Sequence, residues 1–182
     1  SSQLSEGLLR QLFSNMYETI DISPEAEVTK ECNPDDVTEK FSRMLSDLPV
    51  NRVSMGAQTF SLERLRFLRR RHTAEQVPEA VERLRKAGIG NISIDLMYGF
   101  PDETLDDFRR DIDAALALDV EHISAYCLMI EEGTALHRMG VEAADEDTER
   151  AMYEMLIDCL TAVGYEHYEI SNFARPGYRS TT

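Results

Sequence analysis

The chain has no tryptophan, and only three of its 182 residues are cysteine. Cys32, Cys127 and Cys159 stand far apart and form no Cys-x-x-Cys pair. That spacing supports neither a disulfide scaffold nor a thiolate metal site built by this chain alone. Each is expected as a small buried or half-buried residue. No apolar run approaches the roughly 20 residues that a membrane span requires. The opening residues Ser1-Ser2-Gln3-Leu4-Ser5 show no basic region followed by an apolar stretch, so no signal peptide is expected and the expected location is cytoplasmic. Basic residues are scarce too. Nineteen Lys and Arg against 34 Asp and Glu leave a net charge of −15, whereas a nucleic-acid partner asks for a basic stripe.

What is present is ordinary for a globular domain: 42% apolar and 29% charged residues. The length suffices for one sizeable core but not for an eight-unit barrel, which needs about 200 residues at the least. Short apolar runs alternate with helical periodicity along the chain. Leu8, Leu9, Leu12, Phe13, Met16 and Ile20 recur at helical spacing, with Ser5 as N-cap. Strands are expected at 27–31, 52–58, 91–97 and 123–129, with a shorter fifth at 165–170. Helices are expected between them, at 38–48, 62–68, 73–87, 104–118 and 145–163. Pro78 falls in the first turns of its helix, where proline is tolerated. The stretch 171–182 reads as irregular. Strand, helix, strand in succession implies right-handed parallel crossovers. The expected fold class is therefore α/β, a partial parallel barrel. Its expected bounds are 1–164 for a helix and four βα units, and 165–182 for a final strand leading towards a further domain.

The expected strands share an inner pattern. Thr29 precedes Glu31, Ser54 precedes Gly56, Ser93 precedes Asp95 and Ser124 precedes Tyr126, each by two residues. Alternation places each pair on one face, with Val53, Met55, Ile92, Ile94, Leu96, Ile123 and Ala125 on the other. The apolar face should meet the helices. A polar inner face differs from the Val, Ile and Leu layers that fill a closed barrel. It suggests an open lumen for a polar ligand; the plainer reading is that small hydroxyls fit a crowded interior. Lys30 fits poorly, because it should point at the helix layer.

In α/β barrels the site lies at the C-terminal strand ends. Glu31, Gln58 and Asp95 fall there, with Arg70 on the segment after the second strand. Two carboxylates, an amide and a guanidinium suit a ligand carrying an amine, hydroxyls and a carboxylate. Glu31 and Asp95 could equally serve as general acid and base, or as structural ion-pair partners. His72, His122, His137 and His167 show no metal-ligand grouping and read as surface or loop residues, with His137 and His167 as the candidates should heme bind.

The same residues carry a resemblance. The blocks Glu31-Cys32-Asn33-Pro34-Asp35-Asp36, Asn51-Arg52-Val53-Ser54-Met55-Gly56-Ala57-Gln58-Thr59-Phe60 and Asn91-Ile92-Ser93-Ile94-Asp95-Leu96-Met97-Tyr98-Gly99-Phe100-Pro101 resemble the HemN/HemW group of radical S-adenosylmethionine (SAM) proteins. Arg70-Arg71-His72-Thr73, Glu121-His122-Ile123-Ser124-Ala125-Tyr126 and the block from Tyr168 to Tyr178 match as well. The Ile170-Ser171-Asn172-Phe173-Ala174-Arg175-Pro176-Gly177-Tyr178 run looks more like the HemW branch.

The resemblance implies a partial (β/α)6 barrel binding SAM beside a [4Fe-4S] cluster, from which a 5′-deoxyadenosyl radical is generated. In the HemN branch that radical starts the oxidative decarboxylation of coproporphyrinogen III; the HemW branch is regarded as a heme chaperone. Heme or a porphyrinogen, a heme-accepting protein and an electron donor are the partners implied. Carried over by position, Arg70 would face the SAM carboxylate, Glu31, Gln58 and Asp95 its amino group and ribose hydroxyls, and Tyr126 and Met129 the adenosyl group. Two family features are missing from these residues. The Cys-x-x-x-Cys-x-x-Cys cluster motif is absent, as is the Gly-Gly-Gly-Thr-Pro segment; Ser2-Gln3-Leu4-Ser5 resembles the residues just after that segment. The expectation is a fragment that cannot assemble the cluster alone.

Overall fold

The computed structural model describes residues 6–181. Ser5, the expected N-cap of the first helix, lies outside them. In chain order the elements are α1 (Glu6–Thr19), β1 (Thr29–Cys32), α2 (Glu39–Ser46), β2 (Arg52–Gln58), α3 (Leu62–Phe67), α4 (Gln76–Lys86), β3 (Ile92–Tyr98), α5 (Leu105–Ala117), β4 (His122–Cys127), α6 (Ala135–Arg138), α7 (Glu146–Ala162), β5 (Glu166–Glu169) and β6 (Asn172–Ala174). Local chemistry explains the helix starts. Thr38, Thr104 and Asp145 each accept a backbone N–H with the side chain, and Thr104 and Asp107 complete a reciprocal cap.

One six-stranded sheet runs in the order β1-β2-β3-β4-β6-β5. The first four strands pair parallel. Val53, Met55, Ile92, Ile94, Leu96 and Ile123 are fully buried under the helices together with Leu84, Phe108, Ile112 and Leu156, as the alternation requires. Lys30 does lie on this face, paired in register with Val53, and is almost fully buried. Burial holds its ammonium below the usual lysine range, against the pull of Cys32, Asp36 and Glu31.

The last strands correct the sequence reading. The segment expected as a fifth strand is not a parallel continuation. β5 turns straight into β6, and β6 pairs antiparallel with both β4 and β5. The stretch expected to be irregular thus contributes Phe173, fully buried. The physical reason is visible in β5 itself. Its side chains alternate between half-buried and exposed, whereas a strand inside a parallel sheet is covered on both faces. The sheet does not close, and its polar face borders an open lumen.

Candidate functional site

Register sets the inner face in rows. Glu31 pairs with Ser54, Ser54 with Ser93, and Ser93 with His122. Asp95 pairs with Ser124, and Ser124 with Asn172. Thr29 and Arg52 pair at the start of their strands.

At the strand ends a cleft of about 270 Å³ is lined by Glu31, Asn33, Ser54, Gly56, Gln58, Arg70 and Asp95. Four of the six expected site residues therefore meet in one place. Gln58 arrives there through a bulge in the β2–β3 pairing and a left-handed backbone, φ 66°. A Cβ at Gly56 would stand 2.7 Å from the Gln58 amide nitrogen, so the glycine leaves the space into which that amide folds. Arg70 is delivered by the end of α3. Arg69 adopts φ 54°, and the Arg70 N–H donates to the Leu65 carbonyl while that of Arg69 donates to Arg66. This is a left-handed helix terminus of the kind that turns the chain sharply. The segment is then clamped. Arg70 donates to Asn33 at 3.2 Å, Arg71 pairs with Asp35 at 2.9 Å, and His72 donates to the Ala57 carbonyl at 3.1 Å.

Beneath and beside this cleft a larger space of about 580 Å³ shares Glu31, Ser54 and Asp95 with it and extends to Thr29, Arg52, His122, Ser124, Tyr126, Tyr168 and Asn172. Tyr126 reaches it with its ring half in solvent. Met129 lines neither space and is 75% exposed beyond β4. His72 lies in a loop, between α3 and α4, but is buried there, whereas His122 is neither a surface nor a loop residue: it is buried on β4. His122 joins Ser93 through Nδ1 and Tyr168 through Nε2, each at 2.8 Å, and Tyr168 accepts the Ser180 N–H. His137 and His167 are exposed, and His167 stacks on Phe173. Arg52, His122, Tyr168 and Asn172 were missed as lumen residues. Period-two spacing would have found two of them, since Arg52 and His122 each stand two residues before an expected inner serine.

Electrostatics follow the burial. Asp95 is raised to about 6, chiefly by burial; the Ser54 hydroxyl at 3.3 Å, Arg52 and Arg70 hold it back, while Glu31 pushes it further up. His122 is lowered to about 4, first by burial and then by Arg52. The cleft thus offers a cationic donor, carboxylate acceptors and neutral amides within one small volume, which suits a zwitterion bearing hydroxyls.

The thiols behave differently. Burial pushes Cys32 up to about 12 and Cys127 likewise, so neither is a ready thiolate. Among the described residues no three His, Cys, Asp or Glu are grouped to hold a metal ion. These residues do not fit an iron-sulfur cluster. No helix among them is long and apolar enough to cross a membrane.

Comparison with known proteins points one way. The heme chaperone HemW of Lactococcus lactis is 39% identical over 98% of this chain, and that of Bacillus subtilis 36% over the same share; each match takes in 48% of the relative. HemW of Escherichia coli is 33% identical over 98% of this chain and 47% of its own length. The chain thus spans about half the length of the curated relatives it matches. Among solved structures, the Escherichia coli coproporphyrinogen III oxidase HemN, described as a radical SAM enzyme, superposes with a TM-score of 0.86. That match covers 96% of this chain and 41% of HemN at 22% identity, which establishes a shared fold. The family model described as "Radical SAM superfamily" matches residues 6–115, which include β1, β2, β3 and the strand-end cleft they form. With more than half of its length inside that match, the chain belongs to the radical SAM superfamily, whose cofactors are SAM and a [4Fe-4S] cluster.

Proposed function

We propose that the strand-end cleft is a SAM site and that the whole protein is a heme chaperone of the HemW kind. The observation that carries the first part is the convergence of Glu31, Gln58, Arg70 and Asp95, from β1, β2, the α3 terminus and β3, on one small polar cleft. Arg70 receives the carboxylate of SAM in a charge-assisted pair. Glu31, Gln58 and Asp95 take its amino group and ribose hydroxyls. Tyr126 and Met129 are assigned to the adenosyl group, Tyr126 from the adjoining space and Met129 from the exposed segment after β4. SAM when bound supplies the adenosyl group of the family's chemistry. No step is assigned through the cluster, since these residues hold none of its ligands.

The second part rests on the relatives. Those at 30–39% identity across the breadth of the chain carry the name heme chaperone HemW. The whole protein then binds heme, passes it to an accepting protein and works with an electron donor. The competing reading, oxygen-independent coproporphyrinogen III oxidation, draws on a neighbour whose 22% identity speaks for the fold only.

Two measurements on the full-length protein test this. Calorimetric titration with SAM should show binding that Arg70→Ala weakens by about tenfold or more. Heme should bind, and anaerobic incubation with coproporphyrinogen III should yield no decarboxylated product. Turnover of coproporphyrinogen III would replace the chaperone reading with the oxidase, and SAM affinity indifferent to Arg70 would remove the assigned site.

A further inference from the structure

Arg52 is the odd member of the lumen. It is 6% exposed and lines the larger space at the start of β2. A guanidinium so buried ordinarily sits against a carboxylate, because desolvating an unpaired cation is costly. Among the described residues its side chain makes one hydrogen bond, from Nη1 to the Thr29 hydroxyl at 3.4 Å, and Nε has no partner. No carboxylate among them forms an ion pair with it, although Asp95 and His122 lie close enough to feel its charge. The space is bordered by the carboxylates of Glu31, Asp95 and Glu169, none within ion-pair distance of Arg52, and by groups already engaged with one another: Ser93 with His122, His122 with Tyr168, Ser124 with Asn172. A buried guanidinium with an unpartnered Nε, facing a space of about 580 Å³ and in ion-pair contact with none of its carboxylates, is a donor that the lining does not satisfy.

We propose that Arg52 is the anion-binding floor of the lumen and takes up a carboxylate of the molecule held there, opposite the strand-end cleft. The site deepens the heme-chaperone reading and rests on it for the ligand, since heme carries propionate carboxylates. The Arg52 fork matches a carboxylate in two parallel hydrogen bonds, with Nε as one of the donors. The internal alternative is Asn91, whose Oδ1 is also buried and unpaired. A water bridge from Arg52 to Asn91 would need no anion.

The test uses the full-length protein, wild type and Arg52→Gln and Arg52→Lys, with three probes: heme, heme dimethyl ester and sodium propionate against sodium chloride. Heme affinity should fall about tenfold in Arg52→Gln and recover in part in Arg52→Lys, whose charge remains. The dimethyl ester, with its carboxylates blocked, should bind wild type and variant alike. Propionate should raise the melting temperature of the wild type more than chloride does, and should not do so for Arg52→Gln. Equal losses for heme and its ester, or no loss for either, overturn the proposal. If the wild type binds no heme, the chaperone reading falls and the propionate measurement decides the Arg52 site on its own: a wild type that ignores propionate removes it. Should Arg52→Gln fail to fold, Arg52→Lys and the wild-type response to propionate carry the same decision.

Discussion

Asp95 and His122 sit in one lumen with protonation equilibria displaced in opposite senses, and stability against pH should reveal both. Burial raises Asp95 from 3.8 to about 6, so the folded protein holds that proton more firmly than the unfolded chain. The stabilisation is complete below about pH 3.8 and is lost as pH rises to about 6, a change on the order of 2–3 kcal/mol. His122 falls from 6.5 to about 4, so its contribution is complete above about pH 6.5 and is lost as pH falls toward 4. The two slopes oppose each other between pH 4 and 6. Urea unfolding of Asp95→Asn should therefore show stability rising with pH across that window more steeply than in the wild type. Superimposable pH profiles for the two proteins would contradict the assignment. Asp95 was visible in the sequence as a strand-end carboxylate. The burial that displaces it was not, because burial depends on strands far away in the chain.

At the scale of elements, the least obvious contact is the one that steadies the β2 end. Asp111 on α5 is buried; it accepts the Thr59 hydroxyl at 2.6 Å and the Phe60 N–H at 2.9 Å. It thereby holds the turn in which Gln58 takes its left-handed backbone. Asp111→Ala strands both donors, and chemical denaturation should register a loss of about 2 kcal/mol. Asp111→Asn, which keeps an acceptor for Phe60, should lose less. Equal stability of Asp111→Ala and wild type would show the turn to be self-supporting. In the sequence Asp111 is set apart only by falling within the helix expected at 104–118. Helical spacing says which side a residue occupies, and it does not say which distant loop that side meets. The clamps from Arg70, Arg71 and His72 onto Asn33, Asp35 and Ala57 were hidden for the same reason.

For the whole molecule the expectation concerns what these 182 residues hold. Cys32 lies on β1, Cys127 at the end of β4 and Cys159 on α7, and no three ligands gather among the described residues. Anaerobic iron-sulfide reconstitution of this chain should give no stable [4Fe-4S] absorption; a cluster spectrum surviving desalting would show that these cysteines do come together. The sequence by itself determined the four parallel strands, the apolar face under the helices and the polar residues at the strand ends. Each of those follows from period-two alternation and helical spacing, which are local properties of the chain. Tertiary structure alone decided the rest. Pairing to β4 made an antiparallel hairpin of the final segment and carried Tyr168 and Asn172 into the lumen. A bulge and two left-handed residues turned Gln58 and Arg70 into the cleft. The same pairing of distant strands buried Arg52 and His122, and burial is what turns an ordinary side chain into one with displaced charge or an unmet partner.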